Sequence, residues 1–136
     1  MLIKTAKKAL SILGCDHSFS VNLVGETSIK KLNRVYRRKN RTTDILSFNS
    51  PAEIKKVSGY AGDIFICANL AEKNAMLYGH TRDAELAMLL VHGILHLEGY
   101  EHEGRISKNK VERMFKMQKR ILSEVLGLGK RKRNKK

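Results

Sequence analysis

Three histidines, His92, His96 and His102, share the stretch His92-Gly93-Ile94-Leu95-His96-Leu97-Glu98-Gly99-Tyr100-Glu101-His102. Two histidines four residues apart lie on one face of a helix, with Cβ atoms roughly 5–6 Å apart, a spacing that suits two ligands of one zinc ion. Gly99 supplies the turn that brings His102 back toward the pair, because glycine enters the left-handed conformation that ends a helix at little cost. From Ala84 to Leu97 the chain is apolar around nearly its whole circumference, so this segment is expected to be a buried central helix and its histidines buried with it. Buried imidazoles need partners for both ring nitrogens, and a shared metal meets that need for several at once.

No cysteine is adjacent in sequence, and closed structural zinc sites usually contain cysteines, whereas catalytic sites keep three protein ligands and an open position. An open, zincin-like site is therefore expected, with Cys67, Glu98, Glu101 and Glu103 as the residues that could otherwise fill the fourth position. The spacing His-x-x-x-His-x-x-Gly-x-x-His is that of metzincin proteases, whose general base is the glutamate after the first histidine. Here Gly93 stands there, so the pattern predicts metal-assisted hydrolysis and argues against peptide cleavage. Zinc is the expected ion, although three imidazoles accept other divalent transition metals.

The 136 residues carry 27 Lys plus Arg against 13 Asp plus Glu, a formal net charge of +14. Such an excess favours polyanionic partners, nucleic acid above all. Six of these charges sit in the tail Lys130–Lys136, expected to be a disordered basic arm, and the remaining body, residues 1–129, still carries +8 as one domain. Lys30, Lys31, Arg34, Arg37, Arg38, Lys39 and Arg41 form a block free of acids between Ser28 and Thr43, which predicts a basic patch on the folded body. Nothing approaches the ~18 consecutive apolar residues of a membrane span. No secretory signal is evident, and Cys15 and Cys67 lack redox or metal spacing, as expected of free thiols in the cytoplasm.

The elements that must position these groups follow from periodicity. Ile3, Ala6, Leu10 and Leu13 predict a short amphipathic helix ended by Gly14, and Phe19, Val21 and Leu23 a half-buried strand. A helix from Thr27 to about Arg38 buries Ile29, Leu32, Val35 and Tyr36. Ile45–Phe48 and Ile64–Cys67 read as strands, and Asn49–Gly59, with the sole proline Pro51, as a mobile loop between them. A helix at about 69–78 precedes the histidine helix, for which Thr81 is the expected N-cap. The last helix, about 107–126, turns Val111, Met114, Met117, Ile121, Leu122 and Val125 inward. Strands alternating with helices and then giving way to helices predict an α+β fold in which one mixed sheet is covered by helices.

With the histidine stretch and the basic block both in view, the chain resembles the YbeY family of bacterial endoribonucleases, the rRNA maturation factors. The family signature His-Gly-x-Leu-His-Leu-x-Gly-Tyr-Asp-His is matched from His92 to His102, with Glu101 in place of aspartate. Leu32-Asn33-x-x-Tyr36-Arg37, Thr43-Asp44-Ile45-Leu46-Ser47-Phe48 and Gly62-Asp63-Ile64 are similar to further family segments. Thr42 and Asn49 stand where the family commonly has proline, and the lysine-rich tail is not a family constant. The resemblance implies a four-stranded sheet, one zinc held by His92, His96 and His102, and a catalytic Arg37 across the cleft from it. It also implies processing of ribosomal RNA, particularly at the small-subunit 3′ end, and ribosome quality control.

The expected activity is therefore zinc-dependent, single-strand-specific endoribonucleolytic cleavage. A zinc ion and the Arg37 guanidinium would neutralise charge developing on phosphorus, while Arg34, Arg38 and Lys39 hold the flanking backbone. Glu98 and Asp44 are the candidate general bases, and Glu85 and His80 candidates for positions around the ligands. Two alternatives predict different behaviour: an RNA- or ribosome-binding module with a structural metal, or a metal-dependent hydrolase of another substrate.

Overall fold

A computed structural model of the chain describes residues 1–100 and 108–127. The expected ligand His102, its neighbours Glu101 and Glu103, the boundary at residue 129 and the tail 130–136 lie outside the described residues. The described order is α1 (Leu2–Leu13), β1 (Ser18–Val24), α2 (Glu26–Arg37), β2 (Ile45–Asn49), α3 (Ala52–Ser58), β3 (Tyr60–Cys67), α4 (Ala68–Tyr78), α5 (Arg82–Leu97) and α6 (Lys108–Leu126). The three strands form one mixed sheet in the order β1-β3-β2. β1 runs parallel to β3, with Val21 opposite Ile64, and β2 runs antiparallel to it, with Ser47 opposite Ile64. The architecture is α+β as expected, but the sheet has three strands among the described residues where the resemblance implied four.

β3 is central, and its alternation sorts two cores. Ile64 and Ile66 enter the large core with Leu90, Ile94 and Leu95 of α5 and Met114 and Ile121 of α6. Cys67 and Phe65 join a smaller core on the other face, with Ile29 of α2 and Leu46 and Phe48 of β2. Each fully buried Leu or Ile contributes about 1.5–3 kcal/mol by leaving water, so α5, with ten buried residues, is the main anchor. Its start follows the expected cap: the Thr81 hydroxyl accepts from the Ala84 amide at 3.0 Å, satisfying one of the first-turn donors.

Several local expectations are corrected. Residues 49–59 are not a loop, because Pro51 stands at the N-cap and Ala52–Ser58 form α3, ended by the left-handed Gly59. Proline fixes φ in a range compatible with a helix start, so it begins this segment rather than breaking it. On α2 only one stripe meets the small core, and Val35 and Tyr36, expected inside, are 55% and 65% exposed. On α1, Ile3 faces out, whereas Ala6, Leu10 and Leu13 pack against the large core as expected, beside the fully buried Thr5 and Ala9. The inward face of α6 is as expected, with Met114 and Ile121 fully buried and Met117, Leu122 and Val125 against them.

Two glycines permit the closest approaches. Gly62 has φ +145°, and a Cβ there would lie 2.1 Å from the Phe48 carbonyl oxygen and 2.9 Å from Leu97 Cδ2. Because the obstacle on one side is backbone, no side-chain rearrangement relieves it. Gly62→Ala is expected to destabilise the fold by roughly 3 kcal/mol or more, measured as a lower urea midpoint with an unchanged slope. A loss below about 1 kcal/mol would contradict this packing.

Candidate metal and phosphodiester site

α5 presents His92 and His96 one turn apart on the face beside β2, both half-buried rather than fully buried as expected. The reason is a cleft of about 810 Å³ that this face borders, lined also by Asn33, Arg37, Lys39, Arg41 and Tyr100. The two Nε2 atoms converge to 3.2 Å, and the rings meet edge-on with centroids 4.7 Å apart. Zinc–nitrogen bonds of about 2.0–2.1 Å at tetrahedral angles put two ligand nitrogens about 3.3 Å apart. The pair therefore already has the edge length of a tetrahedral site. Glu98 caps the helix and hands the chain to Gly99, which has the positive φ, +93°, expected of a helix-ending glycine. The Tyr100 and Gly99 amides donate back to Leu95 and His96 carbonyls at 2.9 and 3.1 Å.

The tautomer of His92 has a structural determinant. Its Nδ1–H donates to Gln118 Oε1 of α6 at 3.1 Å, which leaves the lone pair on Nε2, the atom directed at His96. Local spacing could not reveal Gln118, which lies 26 residues along the chain; the only hint is a polar residue beside the inward-facing Met117.

The opposite wall comes from α2 and the segment after it. Arg37 reaches over the edge of β2: its Nη2 donates to the Ser47 carbonyl at 2.5 Å and its guanidinium lies 5.2 Å from the Phe48 ring centroid. Arg38 closes α2 in the left-handed conformation, φ 57°, turning the chain so that Lys39 and Arg41 also face the cleft. Asn33, 3% exposed, holds that turn from inside. Its Nδ2 donates to the Arg41 carbonyl at 2.9 Å and its own carbonyl accepts from the Lys39 amide at 3.2 Å. Of the residues expected to bind substrate, Lys39 lines the cleft and Arg34 and Arg38 do not; both are exposed on the outside of α2. Arg41, not singled out from the sequence, lies inside.

Gly93 explains the missing metzincin glutamate. A Cβ there would stand 3.1 Å from the Cδ1 atoms of both Ile45 and Ile64, so a longer side chain at 93 would be driven into the sheet. Neither candidate base lines the cleft. The Asp44 carboxylate accepts from Asn74 Nδ2 at 3.2 Å, and the Glu98 carboxylate turns toward His17, Cys15 and Lys55. Glu85 is buried near His80, Nε2 to Oε1 3.9 Å, and burial raises its carboxyl above the usual range against the lowering pull of His80. Cys67, one of the residues that could have closed the metal site, is buried in the small core.

Paired imidazoles share a cleft with guanidinium and ammonium cations on a mixed-sheet α+β scaffold, a charge distribution suited to a phosphodiester. The family profile of endoribonuclease YbeY matches residues 2–126. An endoribonuclease YbeY from Aquifex aeolicus is 42% identical over 103 residues, covering 74% of this chain and 67% of its own length. One from Staphylococcus carnosus is 38% identical over 126 residues, covering 89% and 80%. The solution structure of a Thermotoga maritima protein is similar with a TM-score of 0.67 at 33% identity, over 99% of this chain and 85% of that one. The chain belongs to the endoribonuclease YbeY family.

The hydrogen bond to His92 gives a direct test. Gln118→Leu, which keeps volume but removes the acceptor, is expected to weaken zinc affinity about 10- to 100-fold with little change in thermal stability, read by competition with a chromophoric chelator. Unchanged affinity would remove Gln118 from the site.

Proposed function

We propose that the chain is a zinc-dependent, single-strand-specific endoribonuclease that matures ribosomal RNA, particularly the small-subunit 3′ end, and serves ribosome quality control in the cytoplasm. As a member of its family it is a nuclease, a hydrolase of RNA phosphodiester bonds. The observation that carries the zinc reading is the 3.2 Å convergence of the His92 and His96 Nε2 atoms in a cleft shared with Arg37, Lys39 and Arg41. His92, His96 and His102 would hold the ion, with His102 carried by the resemblance. When bound, the metal supplies a Lewis acid for phosphoryl oxygens and a nucleophile near neutral pH.

The protein's own groups do the rest. Arg37, set between the Ser47 carbonyl and the Phe48 ring, can exchange its carbonyl contact for two parallel hydrogen bonds to a phosphate, stronger because both partners are charged. That interaction strengthens as charge builds on phosphorus, so it acts on the transition state more than on binding. Lys39 and Arg41 hold the neighbouring phosphates inside the cleft, and Arg34 and Arg38 attract backbone that runs outside it. A cleft open to flexible backbone on one side of an edge strand favours single strands, whose phosphates can bend toward the wall. The choice of ribosomal RNA and of the ribosome as partner rests on the resemblance of the motifs. Gly93, packed against Ile45 and Ile64, counts against peptide hydrolysis.

Zinc-loaded protein is expected to cut a single-stranded precursor rRNA fragment. Arg37→Ala should lower the cleavage rate about 10²- to 10³-fold, and His96→Ala or a chelator should abolish it. Lys39→Ala and Arg41→Ala should mainly weaken RNA binding, each reducing the salt slope of log Kd by about one. Undiminished cleavage by both Arg37→Ala and His96→Ala, or tight RNA binding with no turnover by the zinc-loaded wild type, would overturn the assignment.

A further inference from the structure

At the C-terminal end of α5, among residues that do not line the cleft, three donors of a different kind meet. Cys15 Sγ lies 3.4 Å from Glu98 Oε1, and His17 Nδ1 lies 2.8 and 2.9 Å from the two Glu98 oxygens. All three ligand atoms fall within 4.8 Å of one another. We propose that Cys15, His17 and Glu98 form a second binding site for a zinc-like divalent ion, separate from the histidine pair.

The geometry is that of a ligand set closed on protons. Zinc bonds of about 2.0–2.3 Å give edges of roughly 3.3–3.7 Å, so Sγ and the carboxylate oxygen, 3.4 Å apart, already stand at the right distance, while the imidazole, at 2.8 Å from that oxygen, must withdraw slightly to admit an ion. In the metal-free protein the thiol S–H and the imidazole Nδ1–H both point at the carboxylate. An incoming ion takes the place of both: the thiol proton leaves to solvent, the imidazole stays neutral and carries its one proton on Nε2 instead of Nδ1, and three donor–metal bonds replace two hydrogen bonds. Thiolate, imidazole and carboxylate are all ligands that zinc accepts, and three protein donors leave a position for water.

The backbone holds the donors in place before any ion arrives. Gly14, φ +67°, ends α1, and the Cys15 amide donates to the Leu10 carbonyl at 3.0 Å, fixing the Cys15-x-His17 segment that leads into β1. Glu98 caps α5, its amide bonded to the Ile94 and Leu95 carbonyls. The Glu98 side chain is 6% exposed while that of His17 is 32% exposed, so the carboxylate lies at the bottom and the imidazole at the mouth through which an ion enters. Lys55 is the remaining charge. Its Nζ lies 3.6 Å from Glu98 Oε1 and is held by the Leu97 carbonyl at 2.7 Å. A carboxylate has about four lone-pair sites, so it can receive the ammonium and an ion together. Thiolate, carboxylate, ammonium and a divalent ion sum to a single positive charge. In the sequence this set is hidden, because Glu98 joins a pair that lies more than eighty residues away.

Cobalt(II) titration of the reduced, full-length protein tests the site. A thiolate ligand gives a sulfur-to-cobalt charge-transfer band in the near ultraviolet, which a site built of histidines does not, so the readout is independent of the proposed nuclease centre. The expected result is such a band in the wild type, lost in Cys15→Ser and in His17→Ala, and retained in His92→Ala/His96→Ala and in the buried-thiol variant Cys67→Ser. Circular dichroism confirms that each variant is folded, and Glu98→Gln, which keeps the shape, should weaken cobalt binding at least tenfold. Absence of the band in the wild type, or its survival in Cys15→Ser or in His17→Ala, would overturn the proposal.

Discussion

The close seat of α5 on the sheet governs everything else in this protein. Gly93 brings the helix so near β2 and β3 that a single added carbon would meet Ile45 and Ile64 at 3.1 Å. That approach fixes how far the imidazoles of His92 and His96, which flank Gly93 along the helix, stand from the edge of β2, over which Arg37 reaches. Protein interiors are packed as densely as organic crystals and do not yield smoothly, so the distance between the imidazole face and the cationic wall is set by apolar contacts, not by the charged groups themselves. The same contact removes the position that a protease of similar spacing gives to its base. One packing constraint thus shapes the cleft and narrows its chemistry.

Two side-chain amides complete the cleft from either side. Gln118 holds the His92 ring through Nδ1, and Asn33 ties both ends of the basic turn that carries Lys39 and Arg41. Each converts a flexible group, a ring with two tautomers or a loop rich in repelling cations, into one with a single arrangement. Such hydrogen bonds contribute only about 1 kcal/mol each to stability. Their larger effect is on the precision with which ligands and cations are presented.

Much of this was legible in the sequence where the signal is local. The four-residue spacing of His92 and His96, the unbroken apolar run around them, the cap at Thr81 and the inward face of α6 all follow from short-range periodicity. What failed depends on distant partners. Val35 and Tyr36 carry the right spacing to be buried, but the small core on that face of the sheet ends at Ile29, Leu46 and Cys67. Pro51 reads as a breaker, yet it stands at the N-cap of α3, where proline is compatible with a helix. Arg34 and Arg38 belong to the same basic run as Arg37 and Lys39, and only the left-handed turn at Arg38 decides which of them enter the cleft. Gln118, Arg41 and the Cys15–His17–Glu98 cluster need the tertiary structure. Charge density points to the patch, and backbone geometry selects its members.

The account rests on the convergence of the two imidazole nitrogens being a ligand geometry. Crystals of the zinc-loaded protein, with diffraction recorded on both sides of the zinc absorption edge, test it most directly. An anomalous peak within about 2.0–2.2 Å of both His92 Nε2 and His96 Nε2, facing Arg37 across the cleft, is the predicted result. No peak between those nitrogens in crystals shown by elemental analysis to contain zinc would contradict it.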